Sequence, residues 1–258
     1  MTSSEPIELL QFRWSHYNEK ARWALDWKRV PHRRRSLLPG PHGPLVMRLT
    51  RKTQVPVVRF GREVVAGSAA IIEALERRFP DPPLLPTDLA AREEALALER
   101  HFDDEVGPAV RCGIFGHLLE TPAYVAWIFS NDRSMLTQAG YRALLPLTRV
   151  IMARSMGIRG PASIEAACEA TQRALDLVAE RSAHTGHLVG DAFTAADLTA
   201  ASLLAPAVGP DHPEMSLPEP RPDALRRWLG RFAGHPGAAW VRETYRRHRP
   251  RATCAVAV

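Results

Sequence analysis

Cysteine is scarce in this sequence. Cys112, Cys168 and Cys254 are the only ones in 258 residues, an odd number at wide spacing. They form neither a disulfide framework nor a metal-ligand pair, so no metal site is expected. They read as buried or incidental thiols of a reducing compartment. Long apolar runs are lacking too. No segment approaches the ~18 uninterrupted apolar residues that span a bilayer. The start, Met1 to Trp14, has neither an apolar core of signal-peptide length nor a basic n-region. These absences predict a cytoplasmic protein with no membrane partner. There is no internal repeat, and no zinc-finger spacing or RNA-binding signature.

What is present is length, charge and proline. A chain of 258 residues suits two domains of about 80 to 180 residues each. Apolar residues make up 45% and charged residues 24%, enough for a core under a polar surface. The net charge is +6, mostly from arginine. The densest runs are Arg33-Arg34-Arg35, Arg226-Arg227 and Arg246-Arg247-His248-Arg249. A basic balance favours anionic partners: nucleic acid, acidic lipid or a small acidic substrate. With no nucleic-acid signature beside it, the excess reads as a solvated arginine surface, and no nucleic-acid partner is expected.

Ile7 to Phe12 is short and apolar, a first strand. From Ser15 the apolar positions shift to helical spacing through Ala21, Ala24 and Leu25, with Trp23 and Trp27, and Pro31 ends the segment. Leu37-Leu38 closes a second strand. Pro39 to Pro44 is a loop by composition. Val55 to Phe60 is β-branched and apolar, Gly61 is a turn, and Glu63 to Ala66 is its hairpin partner. After Ser68, the residues Ile71, Ile72, Leu75 and Phe79 share one helical face, and Pro80 stops it. This order describes a small mixed sheet with helices packed on it.

Asp81 to Pro86 is a stiff proline-rich linker. Beyond it every pattern is helical. Thr87 caps a long helix that Gly107-Pro108 kinks or breaks. Thr121-Pro122 reads as a cap and first turn. Pro161 opens a helix whose inner face is Ile164, Ala167, Thr171, Ala174, Leu175 and Val178. Thr194 and Asp197 form a capping pattern before Leu198 to Val208, with Phe193 stapling to Leu198. Two short helices follow, Asp223 to Phe232 and Pro236 to His248, and Pro250 to Val258 is a frayed end.

Three segments now point one way. Ser15 to Leu25, SHYNEKARWAL, resembles the start of the first helix of soluble glutathione transferases, where S/C-P-F/Y-x-x-K-x-R-x-A-L is common. Gln54 to Val58, QVPVV, followed by Gly67 to Ile71, GSAAI, resembles the family's Q/K-V-P-x-L strand and its E/Q-S-x-x-I turn. Leu188 to Leu198, LVGDAFTAADL, resembles the L-x-G-x-x-F-T-x-A-D motif of the helical domain. The resemblance implies an α/β thioredoxin-like N-terminal domain over 1–80, a linker over 81–86 and an all-α C-terminal domain over 87–258. It departs at His16, where the family usually has Pro, and at Gly67.

A glutathione transferase holds a tripeptide and favours its thiolate, the nucleophilic form. A helix N-terminus supplies partial positive charge and free N–H donors, and a hydroxyl supplies a hydrogen bond. Ser15, between a strand and a helix, is placed to use both; otherwise it simply caps that helix. The resemblance puts Ser15 at the family's catalytic position. A serine there, rather than a cysteine, favours conjugation over thiol exchange. Asn18 and Tyr17 stay open as alternative donors to the sulfur, Tyr17 being the better candidate for interface packing.

The resemblance implies a cis Val55-Pro56 bond, with Val55 pairing to the cysteinyl backbone of glutathione and Gln54 reaching it by side chain. The plain reading of Pro56 is an edge-strand proline. Ser68, at a helix N-terminus, is placed for the γ-glutamyl carboxylate, or is a plain N-cap. Gly67 occupies the position whose Glu or Gln holds the γ-glutamyl amine or amide, and it brings no side chain. Arg48, Arg51 and Lys52 are candidates for the glycine carboxylate. For the second substrate the candidates are Arg111, Phe115, Tyr124, Trp127 and Ile128. The expectation is a glutathione transferase that uses glutathione as co-substrate against a small electrophile, with homodimerisation implied by the family. The rival is a binding or scaffold protein on the same fold with little or no catalysis.

Overall fold

The computed structural model describes residues 6–250. The end expected to fray lies, from residue 251 onward and with Cys254, outside the described residues.

Four strands build one sheet in the order β2-β1-β3-β4. They are β1 (Ile7–Gln11), β2 (His32–Ser36), β3 (Val57–Phe60) and β4 (Glu63–Ala66). β1 runs parallel to β2 and antiparallel to β3, with Leu9 opposite Val58 and Leu10 opposite Val57. Side chains alternate across a strand, and this pairing sends them to two cores. Leu9 and Val58 join the main core with Ile71 and Leu75. Leu10 and Val57 join Val46 in a small core on the opposite face. The helices that supply these residues are α1 (His16–Trp27), α2 (Gly43–Thr50) and α3 (Ser68–Arg78). The order is a small mixed sheet first, then helices alone among the described residues.

Two local expectations need correcting here. The second strand is His32–Ser36 and stops before Leu37-Leu38. A strand of HRRRS has no apolar signal, yet its alternate side chains His32 and Arg34 are buried. Arg34 is tolerated inside because Asp26 and Glu214 each accept from it at 2.5 Å. The loop expected from Pro39 ends at Gly43, where α2 begins with Pro44 in its first turn, a position that needs no N–H.

After α3 come α4 (Leu89–His101), α5 (Gly107–Leu118), α6 (Pro122–Ser130), α7 (Met135–Ser155), α8 (Pro161–Arg181), α9 (Ala195–Val208), α10 (Asp223–Phe232) and α11 (Pro236–His248). The cap of α4 is Asp88, not Thr87; its carboxylate accepts from the Ala91 N–H at 2.9 Å. The break expected at Gly107-Pro108 is a π-helical turn, Phe102–Val106, that carries α4 into α5. Pro108 has no N–H to give to a carbonyl four residues back. The wider turn, closed from the Gly107 N–H to the Phe102 carbonyl, removes that demand. None of these helices among the described residues is long and apolar enough to cross a membrane.

α9 is buried at every position and is the pillar of the helical half. Its start is the capping box expected from the sequence. Thr194 Oγ1 accepts from the Ala196 N–H at 3.2 Å, and Asp197 accepts from the Thr194 N–H at 2.9 Å. Asp197 also accepts from the Leu188 N–H at 2.8 Å, which ties down the preceding loop. Phe193 packs its ring on Trp23 and Trp27 of α1 and stacks on His248.

α1 packs on α9 and α3 at once, and charge is buried along it. Glu19 pairs with Arg22 and Arg249, Asp26 with Arg34 and Arg249, and Glu214 with Arg22 and Arg34. Lys20 reaches Glu99 at 2.8 Å and Asp103 at 2.6 Å across to the helical half. The arginine excess is therefore only partly a solvated surface: Arg22, Arg34 and Arg249 are internal.

Candidate active site

β1 ends at Gln11 and the chain turns through Arg13 and Trp14 before α1 starts. Trp14 anchors the turn by donating its indole N–H to the Ile128 carbonyl at 2.8 Å. Ser15 is the N-cap residue, in an extended conformation, and its carbonyl takes the first helical bond from the Glu19 N–H. Its hydroxyl makes no capping hydrogen bond. The N–H groups of the first turn of α1 are thus left without a helical or capping partner. Ser15, with His16 and Tyr17 of that first turn, lines a cavity of about 560 Å³ between the sheet and the helices.

Gln54 and Val55 line the same cavity opposite Ser15, and the Val55-Pro56 bond is cis. Pro56 is buried and does not line the cavity. Its carbonyl accepts from the Gly67 N–H at 3.0 Å, so the start of α3 sits against the Pro56 turn. Gly67 has a φ of +97°, a conformation glycine adopts without strain. Ser68 follows as the first residue of α3 and is buried. The structure therefore brings Ser15, Gln54 and Val55 into one cavity and sets Pro56, Gly67 and Ser68 beside it, not on its wall.

Of the alternative sulfur donors, Tyr17 lines the same cavity and Asn18 does not. Tyr17 donates its hydroxyl to the Asp103 carbonyl at 2.5 Å, and burial pushes its pKa well up. Gly107 lets it do so: a Cβ there would lie 2.4 Å from the Tyr17 hydroxyl. Asn18 is fully buried, its amide has no partner, and it does not line the cavity. His16, where the family has Pro, is buried on the cavity wall. Burial, then the nearby Arg111 charge, lower its pKa to about 3. It is neutral at physiological pH and too weak a base to take a thiol proton.

The helical half supplies the opposite wall. Arg111 and Phe115 of α5 line it, as expected. Ile128 instead lines a smaller, mostly apolar space of about 30 Å³ beside Trp14. Tyr124 and Trp127 line neither space; the Tyr124 hydroxyl donates to the Pro218 carbonyl at 2.7 Å. Arg48, Arg51 and Lys52 also lie off the cavity wall. Two sets of lining residues have no sequence precedent above. His42, the residue before α2, faces Phe12 at 4.6 Å between ring centroids and meets the Thr53 carbonyl at 2.9 Å. From the end of α7 come Ile151, Met152 and Ser155, with Met156 just after it. Among the described residues no cluster of His, Cys, Asp or Glu is arranged to hold a metal ion.

Comparison with known proteins gives two family matches. The glutathione S-transferase N-terminal domain matches residues 9–83, and the glutathione S-transferase C-terminal domain matches residues 161–231. Together these cover more than half of the chain. Glutathione S-transferase 1 of Dianthus caryophyllus is 38% identical over 97 residues, 36% of this chain and 44% of that protein. Maleylpyruvate isomerase of Ralstonia sp. is 30% identical over 118 residues, 45% of this chain and 56% of that protein. The chain thus spans about half the length of these curated relatives. Among solved structures, glutathione transferase GSTFuA3 from Phanerochaete chrysosporium has a TM-score of 0.60 at 22% identity, covering 97% of this chain and 100% of that one. That likeness speaks to the fold.

Proposed function

Because the chain belongs to the glutathione S-transferase family, we propose that it binds glutathione in the cavity at Ser15 and conjugates it to a small electrophile. The observation that carries this is the Ser15 hydroxyl. It stands at the N-terminus of α1 and is not spent on capping, and Ser15 lines a cavity together with Gln54 and Val55.

In this reading the tripeptide lies along the Pro56 turn. Val55 pairs with its cysteinyl backbone, Gln54 reaches it by side chain, and Ser68 with the first turn of α3 takes the γ-glutamyl carboxylate. Gly67 contributes backbone and no side-chain contact. The thiol loses its proton to water, and the thiolate accepts a hydrogen bond from Ser15 while sitting in the positive field of α1. One charge-assisted bond contributes about 1.5–3 kcal/mol, which is about one to two units of thiol pKa. The sulfur then forms a bond to the electrophilic carbon. Either a leaving group departs with the displaced electron pair, or an activated double bond takes up a proton from water. Phe115, Met152 and Met156 give the electrophile an apolar wall. A cytoplasmic location and a homodimer belong to the same proposal and rest on the resemblance.

The test is conjugation across a panel of electrophiles, with wild type compared against Ser15→Ala. We expect turnover in wild type and a loss of about ten- to a hundredfold in kcat/KM near neutral pH in the variant. Wild type that binds glutathione without turning over any electrophile would favour a binding protein, a reading that Gly67 supports.

A further inference from the structure

We propose that the second-substrate side of the cavity takes an apolar or aromatic molecule carrying an anionic group, and that Arg111 is the anchor for that group. The inference rests on the reading that the same cavity holds glutathione at Ser15.

The fully buried cations of this protein are paired with carboxylates. Lys20 is paired with Glu99 and Asp103, Arg22 with Glu19 and Glu214, Lys28 with Glu76, Arg34 with Asp26 and Glu214, and Arg249 with Glu19 and Asp26. Arg111 breaks the pattern. It is half-buried, and among the described residues no carboxylate pairs with it. Its Nε is buried with no hydrogen-bond partner. Asp103, whose backbone carbonyl meets the Tyr17 hydroxyl, is taken by Lys20. What Arg111 has is the face of Tyr17, 6.0 Å from the ring centroid, a contact that leaves its N–H groups open.

The surroundings sharpen the conclusion. Among the described residues no other Lys or Arg lines this cavity, and no Asp or Glu does. The two histidines on the wall cannot compensate Arg111, because an imidazole is either neutral or cationic. His16 is held neutral by burial and by Arg111 itself, and His42 has its pKa lowered by burial. The wall contributed by the helical half is otherwise mostly apolar, with Phe115, Phe129, Ile151, Met152 and Met156 beside the polar Ser155. A guanidinium in such a setting is partly desolvated and uncompensated, which costs free energy until an anion arrives. A carboxylate or sulfonate on a flat apolar body meets both features: the planar fork of donors takes the anion, and the aromatic and methionine wall takes the body.

Calorimetry with an unreactive matched pair tests this without any chemistry. The probes are biphenyl-4-carboxylate and biphenyl-4-carboxamide, titrated into wild type, Arg111→Gln and Arg111→Lys, each with and without glutathione. We expect wild type to bind the carboxylate at least tenfold more tightly than the amide. Arg111→Gln should abolish that preference and leave the amide within threefold. Arg111→Lys keeps the charge but not the fork, and should retain part of the preference. Equal binding of the two probes by wild type would overturn the proposal. So would a preference that survives Arg111→Gln, or an Arg111→Gln defect confined to glutathione binding. A carboxylate preference in a protein that binds no glutathione would uphold Arg111 and sink only the transferase reading.

Discussion

Arg249→Met deletes a guanidinium that lies between two carboxylates with no exposure on either side. Its Nε is 2.7 Å from Glu19 and its Nη1 is 2.8 Å from Asp26. Both acids belong to α1, while Arg249 follows α11, so the contact ties the end of the helical half to the first helix. Removing one partner of a buried pair costs about 3–5 kcal/mol. Arg22 still pairs with Glu19, and Arg34 with Asp26, which places this case near the lower end. In a chain of this size each kcal/mol moves Tm by about 2–4 °C, so a fall of about 6–12 °C is expected at neutral pH. The same network sets a pH dependence. Burial pushes the Glu214 carboxyl up, but the charges of Arg22, Arg34 and Arg249 outweigh it and hold the pKa at about 2. A carboxylate with a depressed pKa stabilises the fold above its unfolded pKa of ~4.3 and loses that contribution as pH falls towards the folded value. The deficit of Arg249→Met should therefore be full at neutral pH and shrink as pH drops below ~4. Thermal melts followed by circular dichroism across that range read both effects. A drop under ~2 °C, too small for the loss of a buried partner, would refute the reasoning. So would a deficit that ignores pH.

Two further perturbations test the helical half and its join to the sheet. Thr194→Ala removes the acceptor for the Ala196 N–H and should cost about 1 kcal/mol, seen as a lower denaturant midpoint with an unchanged slope; no shift would count against the cap. Gly107→Ala forces a Cβ against Tyr17, 2.4 Å from its hydroxyl, and should cost about 1–3 kcal/mol. The cost should be smaller in a Tyr17→Phe background, and strict additivity of the two changes would contradict the contact.

What was legible in the sequence follows from which forces leave a local trace. The capping box at Thr194, the hairpin at Gly61 and the helices at Pro161 and Pro236 are written in neighbouring residues, and the structure has them there. β2 carries no such trace. Arg33-Arg34-Arg35 reads as a solvated run, and only distant Glu214 and nearby Asp26 explain why Arg34 is inside. α2 was hidden behind the prolines and glycines of its entry. α7 escaped because it packs chiefly on α6 and leaves Met135, Leu136, Val150 and Ile151 exposed, so no single apolar face marks it. The site divides in the same way. Ser15, Gln54 and Val55 stand in motifs and share one cavity. The α7 contribution to that cavity, and the lack of a carboxylate partner for Arg111 among the described residues, are facts of tertiary arrangement that no local pattern encodes.

The central claim is that Ser15 favours the glutathione thiolate. Titration of bound glutathione, followed by the ultraviolet absorbance of its thiolate, tests this directly in wild type and in Ser15→Ala. The account predicts a bound thiol pKa at least one unit below that of free glutathione in wild type, and a rise of about one unit on losing the hydroxyl. A smaller lowering should persist in the variant from the N-terminus of α1. The same thiol pKa in both proteins would contradict the claim.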